Sequence, residues 1–556
     1  SRDLTAHYSD GGVLPAGNLL SEFLHPWEWS LHFINGQPLF QALLFLVAAI
    51  VAVALGVGYQ TRLATIFSWA LLASLHNRNW MVLNAGDTEL RMLLFWAMFL
   101  PLGAVYSVDA ALDRQAPTRG TRFCSTASIA LILQVCFVYW FAALLKDNPI
   151  WWQENSATYY ALSLDYMTTN LGKFLLNFPA LLVVATWLTV RIELWGPFLL
   201  FSPFKSEHCR LGAVLLFCGL HIGFASGLNV SLFPFIAVTA WLALLPSLAW
   251  QGIGRWLGAG DGAGLTLLHP AGRAEVLKGL HLLRTFLGLP QATLAVWSPT
   301  VAATLPPGTG WAVQTPNGEI HGGFGAIALL ASQSPILKPV RFLGGWLPLR
   351  AGGDRLYAWL VNHHQGLLSW LPPLRFKARD RRLSLSQESF VIVALLVVIG
   401  WNLHSLSPKT FPVPSEVQAF SRAFGLIQSW NMFAPTPSTN DGWYVIPGTL
   451  ANGAAVDVYR DGAPVTWDRP ANLAATYDGQ RWRKYLERIH PKDYEAYRLY
   501  YGRYLCRDWN QRHPEGEALV TFDIYFMLEA TQPDYQPPKL EKIHLWQHDC
   551  TAPTAE

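Results

Sequence analysis

The residues from Ala127 to Lys146 carry no charge until the last position. As a helix, such a run covers about 30 Å, the hydrocarbon thickness of a bilayer. Comparable segments lie near 39–57, 63–77, 89–107, 176–200, 211–228, 231–249 and 389–404. Backbone placed in lipid must satisfy its own hydrogen bonds, so these eight segments predict an all-α membrane bundle. Composition agrees: 14% of residues are charged, against roughly 25% in soluble domains. The 25 tryptophans suit a chain with two water–lipid interfaces to line.

Several chemistries are not expected. The net charge is +3, and no basic run is interleaved with aromatics, so nucleic acid is not expected as a partner. The six cysteines are scattered, and no zinc, Walker or dinucleotide-binding motif is present. No resident metal or nucleotide cofactor is expected.

Loop charge orients the spans, because positive loops stay cytoplasmic. Arg62, the 108–126 loop with Arg114, Arg119 and Arg122, the 201–210 loop with Lys205 and Arg210, and "RFKARDRR" before the last span all count to one side. Residues 251–388 are then cytoplasmic, 389–404 form the last span, and 405–556 lie outside. The chain opens "SRDLTAHYSDGG" without a methionine, and a helix upstream is expected. Cys506 and Cys550 are the only cysteines of the outer region, where disulfides form, and are expected to pair.

Charges inside spans need an explanation. Lys146 can snorkel to the interface beside Trp151 and Trp152, or it can sit desolvated as a general base; both readings are open. Arg191 and Glu193 project about 200° apart on a helix, so each is expected to pair elsewhere, with Lys146 one candidate for Glu193. His221 is expected to hydrogen-bond across helices, with a weaker catalytic reading. In "NAGDTELR", Asp87 or Thr88 is expected to cap a helix, and Glu89 to favour its dipole, with Asp87 or Arg91 lining an outer cavity as the alternative.

Four stretches carry a resemblance: "YSDGGVLP", "LHNRNWMVLNAGDTELRMLLFWAMFLPLGAVYSVD", "VYWFAALLKDNPIWW" and "LHIGFASGLNVSLFPF". Residues 1–250 resemble the HTTM domain shared with vitamin K-dependent gamma-carboxylase, closest to bacterial members in which a tail like "QSWNMFAPTPSTNDGW" recurs. The resemblance implies that Lys146, in the pattern of Val138, Tyr139, Ala142 and Lys146 with Trp151 behind, matches the base that deprotonates the quinol. The histidine that the carboxylase has before its version of "YSVD" is absent from "PLGAVYSVD", and its large propeptide-binding region has no counterpart in the tail.

Residues 264–370 read as strand, loop, amphipathic helix, then strand, N-G turn, strand and helices. They resemble the DCC family of thioredoxin-like oxidoreductases. The places of that family's two cysteines fall near Arg273 and Val276, and 251–388 contains no cysteine, which excludes thiol–disulfide exchange there. The outer region reads as α+β, with the stripe Tyr497, Tyr500, Tyr501 and Tyr504 packing a helix, and Trp430 and Phe433 docking the region on the membrane face.

The expected architecture is an HTTM-type bundle of about eight spans, an inserted cytoplasmic thioredoxin-like α/β domain, and an extracytoplasmic α+β domain. The expected function is that of a non-catalytic accessory, scaffolding or binding subunit of a bacterial inner-membrane assembly, with lipid and other membrane subunits as partners. The alternative is a carboxylase-like enzyme using Lys146 as base on a quinol-like lipid.

Overall fold

The computed structural model describes residues 2–113, 123–257, 262–305, 309–337, 375–377 and 382–552, with Gly353 and Trp359. Among the described residues the chain is mostly helical, and sheets are confined to two regions.

The bundle contains α1 (Pro38–Gly56), α2 (Thr61–Arg78), α3 (Ala85–Ala97), α4 (Thr126–Leu144), α5 (Pro179–Trp195), α6 (Ser206–Gly227) and α7 (Phe233–Leu242). It also contains the later α11 (Leu385–Leu406). By length and composition, five helical segments among the described residues can cross a membrane: α1, α4, Pro179–Phe201, α6 and α11. Two further pairs qualify only as bent units, α3 with Leu102–Ala111 at 51° and α7 with Ser247–Trp256 at 94°. This makes five spans, or up to seven, where the apolar runs predict eight.

The difference is α2, expected to span over 63–77. It forms a helix but carries Arg62, His76 and Arg78 and does not meet the apolar criterion. Arg78 is fully buried, donating to the carbonyls of Leu14 at 2.9 Å and Ser9 at 3.1 Å.

Sequence explains the helix starts. Ser125 and Ser128 form a capping box at the start of α4, and Ser384 and Gln387 one at the start of α11. Pro38 and Pro179 stand in the first turns of α1 and α5, where a missing N–H costs nothing. For α3 the cap is Asn84, not Asp87 or Thr88. The Asn84 side chain accepts from the Asp87 N–H, and the Asp87 carboxylate accepts from the Asn84 N–H. The α1 face displays Leu39, Leu43, Leu46, Ile50 and Val53, the surface expected toward lipid or a partner chain.

After α7 comes α8 (Ser247–Leu257) and then a four-stranded sheet of order β2-β1-β3-β4. Its strands are β1 (Thr266–His269), β2 (Thr293–Val296), β3 (Ala312–Gln314) and β4 (Ile320–Gly322). β1 and β2 are parallel, and β3 is antiparallel to both β1 and β4. α9 (Ala274–Phe286) makes the β1–β2 crossover, and α10 (Gly323–Gln333) follows β4. Leu267, Leu280, Val313 and Leu330 form the core between sheet and helices. The further helices expected toward 370 lie outside the described residues.

The C-terminal region pairs β5 (Asn440–Val445), β6 (Pro447–Leu450), β7 (Ala455–Asp457), β8 (Leu519–Ala530) and β9 (Lys539–Asp549) in one antiparallel sheet centred on β8. Against it pack α12 (Gln480–Ile489) and α13 (Glu495–Arg512). All four tyrosines of the α13 stripe are buried in that core, together with Val13, Leu14, Met81 and Val82 from the bundle side. The region therefore shares a hydrophobic core with one end of the bundle. Arg483 donates to Asn229 O at 2.8 Å, and Arg488 to the carbonyls of Leu83, at 2.9 Å, and Trp80. Cys506 and Cys550 are joined in a disulfide.

Candidate functional site

Lys146 lies just past the C-terminus of α4, whose helix ends as the polar run Asp147-Asn148 begins. Its side chain turns inward and is 2% exposed, so the snorkelling alternative does not hold. Nζ donates to Glu193 Oε2 on α5 at 2.7 Å and to Ala142 O at 3.2 Å. The Trp151 ring stands 5.0 Å from Nζ, a cation–π contact. Trp152 Nε1 donates to Lys146 O at 2.6 Å, fixing the backbone turn from which the side chain departs. The loop after α4 thus folds two tryptophans over the ion pair.

A second polar group lies in the same bundle. Trp241 Nε1 donates to Tyr139 OH at 2.8 Å, and Tyr139 OH lies 2.6 Å from His221 Nε2. The bond to Tyr139 engages Nε2 of His221 and leaves its other ring nitrogen, Nδ1, facing the interior. Nδ1 is buried and makes no hydrogen bond. His221 does hydrogen-bond across helices, joining α6 to α4, while Trp241 adds α7.

Glu89 is the residue that the sequence reading underestimated. It lies beyond the first turn of α3, is fully buried, and neither carboxyl oxygen has a hydrogen-bond partner. Glu89 on α3 and Glu193 on α5 are both buried within the bundle. Arg91 does not line an open cavity. Its guanidinium lies 3.2 Å from His76 Nδ1 and donates to Ile427 O at 2.8 Å. Arg191 pairs with no carboxylate among the described residues; it donates to Trp187 O at 3.2 Å and lies over the Trp187 and Trp152 rings.

The segment after α11 enters the bundle instead of resting on its face. Trp430 is fully buried and donates to Gln428 Oε1 at 3.0 Å, which also accepts from Gln134 Nε2 at 2.9 Å. Phe433 packs with Trp151 and Val190, close to the ion pair. Docking through "SWNMFAP" is thus insertion, and the Gln428 amide satisfies the indole N–H that burial removes from water.

Two cavities stand out, and neither is lined by Lys146. One, of about 400 Å³, lies among Tyr59, Gln60, Asp109, Arg375 and Lys377 at the opposite end of the α3–Ala111 unit. The other, of about 530 Å³, is an apolar groove between α11 and Pro412–Val417. Among the described residues no cluster of histidine, cysteine, aspartate and glutamate could hold a metal ion. The chain matches no protein-family model, no curated protein and no solved structure.

Proposed function

We propose that this chain is a non-catalytic membrane subunit, of accessory, scaffolding or binding type, in which Lys146 ties helices together. The carrying observation is the closed Lys146–Glu193 pair. A base must have its nitrogen free to meet a substrate, and Nζ is already engaged by the Glu193 carboxylate at 2.7 Å and the Ala142 carbonyl at 3.2 Å. The exposed apolar face of α1 supplies a surface for other membrane chains. The middle region supports the same reading. Its strand order β2-β1-β3-β4, with β3 antiparallel to its neighbours, supports reading it as thioredoxin-like, and 251–388 has no cysteine for thiol–disulfide exchange. The disulfide of the C-terminal region supports an extracytoplasmic position for it and a cytoplasmic one for the middle region. Eight crossings, with α2 as the polar one, reproduce that sidedness. Gentle extraction from native membranes tests the reading. Partner chains in fixed ratio are expected, and a chain that always emerges alone contradicts it.

The second reading, an HTTM enzyme similar to the carboxylase, is supported by Glu89 and His221 Nδ1. These unpartnered polar groups in the interior are what a bound hydroxyl or quinol would satisfy. In that reading the ligand opens the ion pair and frees Nζ. Titrating a quinol into the protein in nanodiscs separates the two. Saturable binding lost in Glu89→Gln and turnover lost in Lys146→Met support the enzyme, and no binding supports the subunit.

A further inference from the structure

The chain leaves α7 through Leu244, Leu245 and Pro246 and turns by 94° into α8, "SLAWQGIGRWL". Proline lacks the N–H to continue a helix, and the next residues start a new one along another axis. At 100° per residue, Ala249, Trp250, Ile253 and Trp256 fall within about 120° of one another, while Gln251 and Arg255 fall on the other side. This apolar face is uncovered: Trp250 is 60%, Ile253 40% and Trp256 79% exposed. The start of the helix is pinned, since Leu248 N donates to Glu207 Oε2 at 2.8 Å, at the N-terminal end of α6.

We propose that α8 lies in the plane of the membrane surface, with Trp250, Ile253 and Trp256 sunk into the boundary between lipid headgroups and acyl chains. The occupant of this face is the lipid surface, for two reasons. α7 belongs to the bundle core through Trp241, so a helix at 94° to it, pinned beside the end of α6, runs along the bilayer and not across it. An apolar face bearing two tryptophans opposite an arginine and a glutamine also has the composition of an interfacial helix. The sheet region that begins a few residues later is thereby held close to the same membrane surface.

Spin labels placed one at a time at Gln251, Ile253, Arg255 and Trp256 test this in the full chain in phospholipid nanodiscs. Cys124, Cys209 and Cys218 are replaced by serine, and buried Cys136 is kept. Labels at 253 and 256 are expected to gain access to dissolved oxygen and lose access to a water-soluble nickel complex, with the reverse at 251 and 255. Equal nickel access at all four sites overturns the proposal. Exclusion of both reagents from 253 and 256 also overturns it, because it marks a protein partner on this face. A photo-crosslinker at Trp256 gives a second readout, expected to capture phospholipid; capture of protein alone counts against the proposal.

Discussion

Lys146 Nζ and Glu193 Oε2 meet at 2.7 Å between α4 and α5, with side chains 2% and 7% exposed. Removing one member of a buried pair leaves an uncompensated charge and costs about 3–5 kcal/mol, whereas replacing both with apolar residues of similar volume is often neutral. Lys146→Met and Glu193→Leu should each lower the thermal midpoint in nanodiscs, and the double variant should recover most of the loss. Additive losses in that double-mutant cycle would show that the pair is not the tie described here.

Tyr139 joins three helices through one hydroxyl. Tyr139→Phe keeps the ring but strands Trp241 Nε1 and His221 Nε2, at about 1–3 kcal/mol for buried groups left unsatisfied. Denaturant titration should register that loss. No change would mean that water replaces the hydroxyl.

The Cys506–Cys550 bond ties α13 to the end of β9 across a sequence separation of 44 residues. Loop-closure entropy for that span corresponds to about 4 kcal/mol. Reduction should therefore open the C-terminal region to protease while the bundle stays folded. Equal protease resistance with and without reductant would contradict this.

Asp441 gives the C-terminal region a pH dependence. Its carboxylate accepts the Asp165 and Gly442 N–H groups but is buried, and burial raises its pKa to about 7. Unfolded, it ionises near the ordinary carboxylate value. Between roughly pH 4 and 7 the unfolded state therefore loses its proton first, and stability from this group falls as pH rises. Asp441→Asn should flatten that slope. A slope unchanged in the variant would assign it to other groups.

The bundle was legible because a run such as Ala127–Lys146 has one stable outcome in lipid. The Lys146–Glu193 pair was legible as one candidate among several, since an intramembrane charge needs a partner. Three features were not. Nothing in the sequence singles out Arg78, because its partners, the Leu14 and Ser9 carbonyls, come from a distant segment. Glu89 read as a first-turn acid, but with Asn84 as the cap it lies beyond the first turn, and its side chain is buried. The turn at Pro246 hid within an apolar stretch, where composition alone does not tell one long span from a shorter one that turns into an interfacial helix.

The central proposal is that Lys146 ties the helices of a membrane subunit together and does not abstract a proton. Native mass spectrometry of the Lys146→Met/Glu193→Leu double variant, extracted from its own membranes beside the unaltered chain, tests it most directly. The account predicts the same partner chains in the same ratio for both. A partner-free chain in the unaltered sample, or loss of a quinol-dependent turnover in the variant alone, would contradict it.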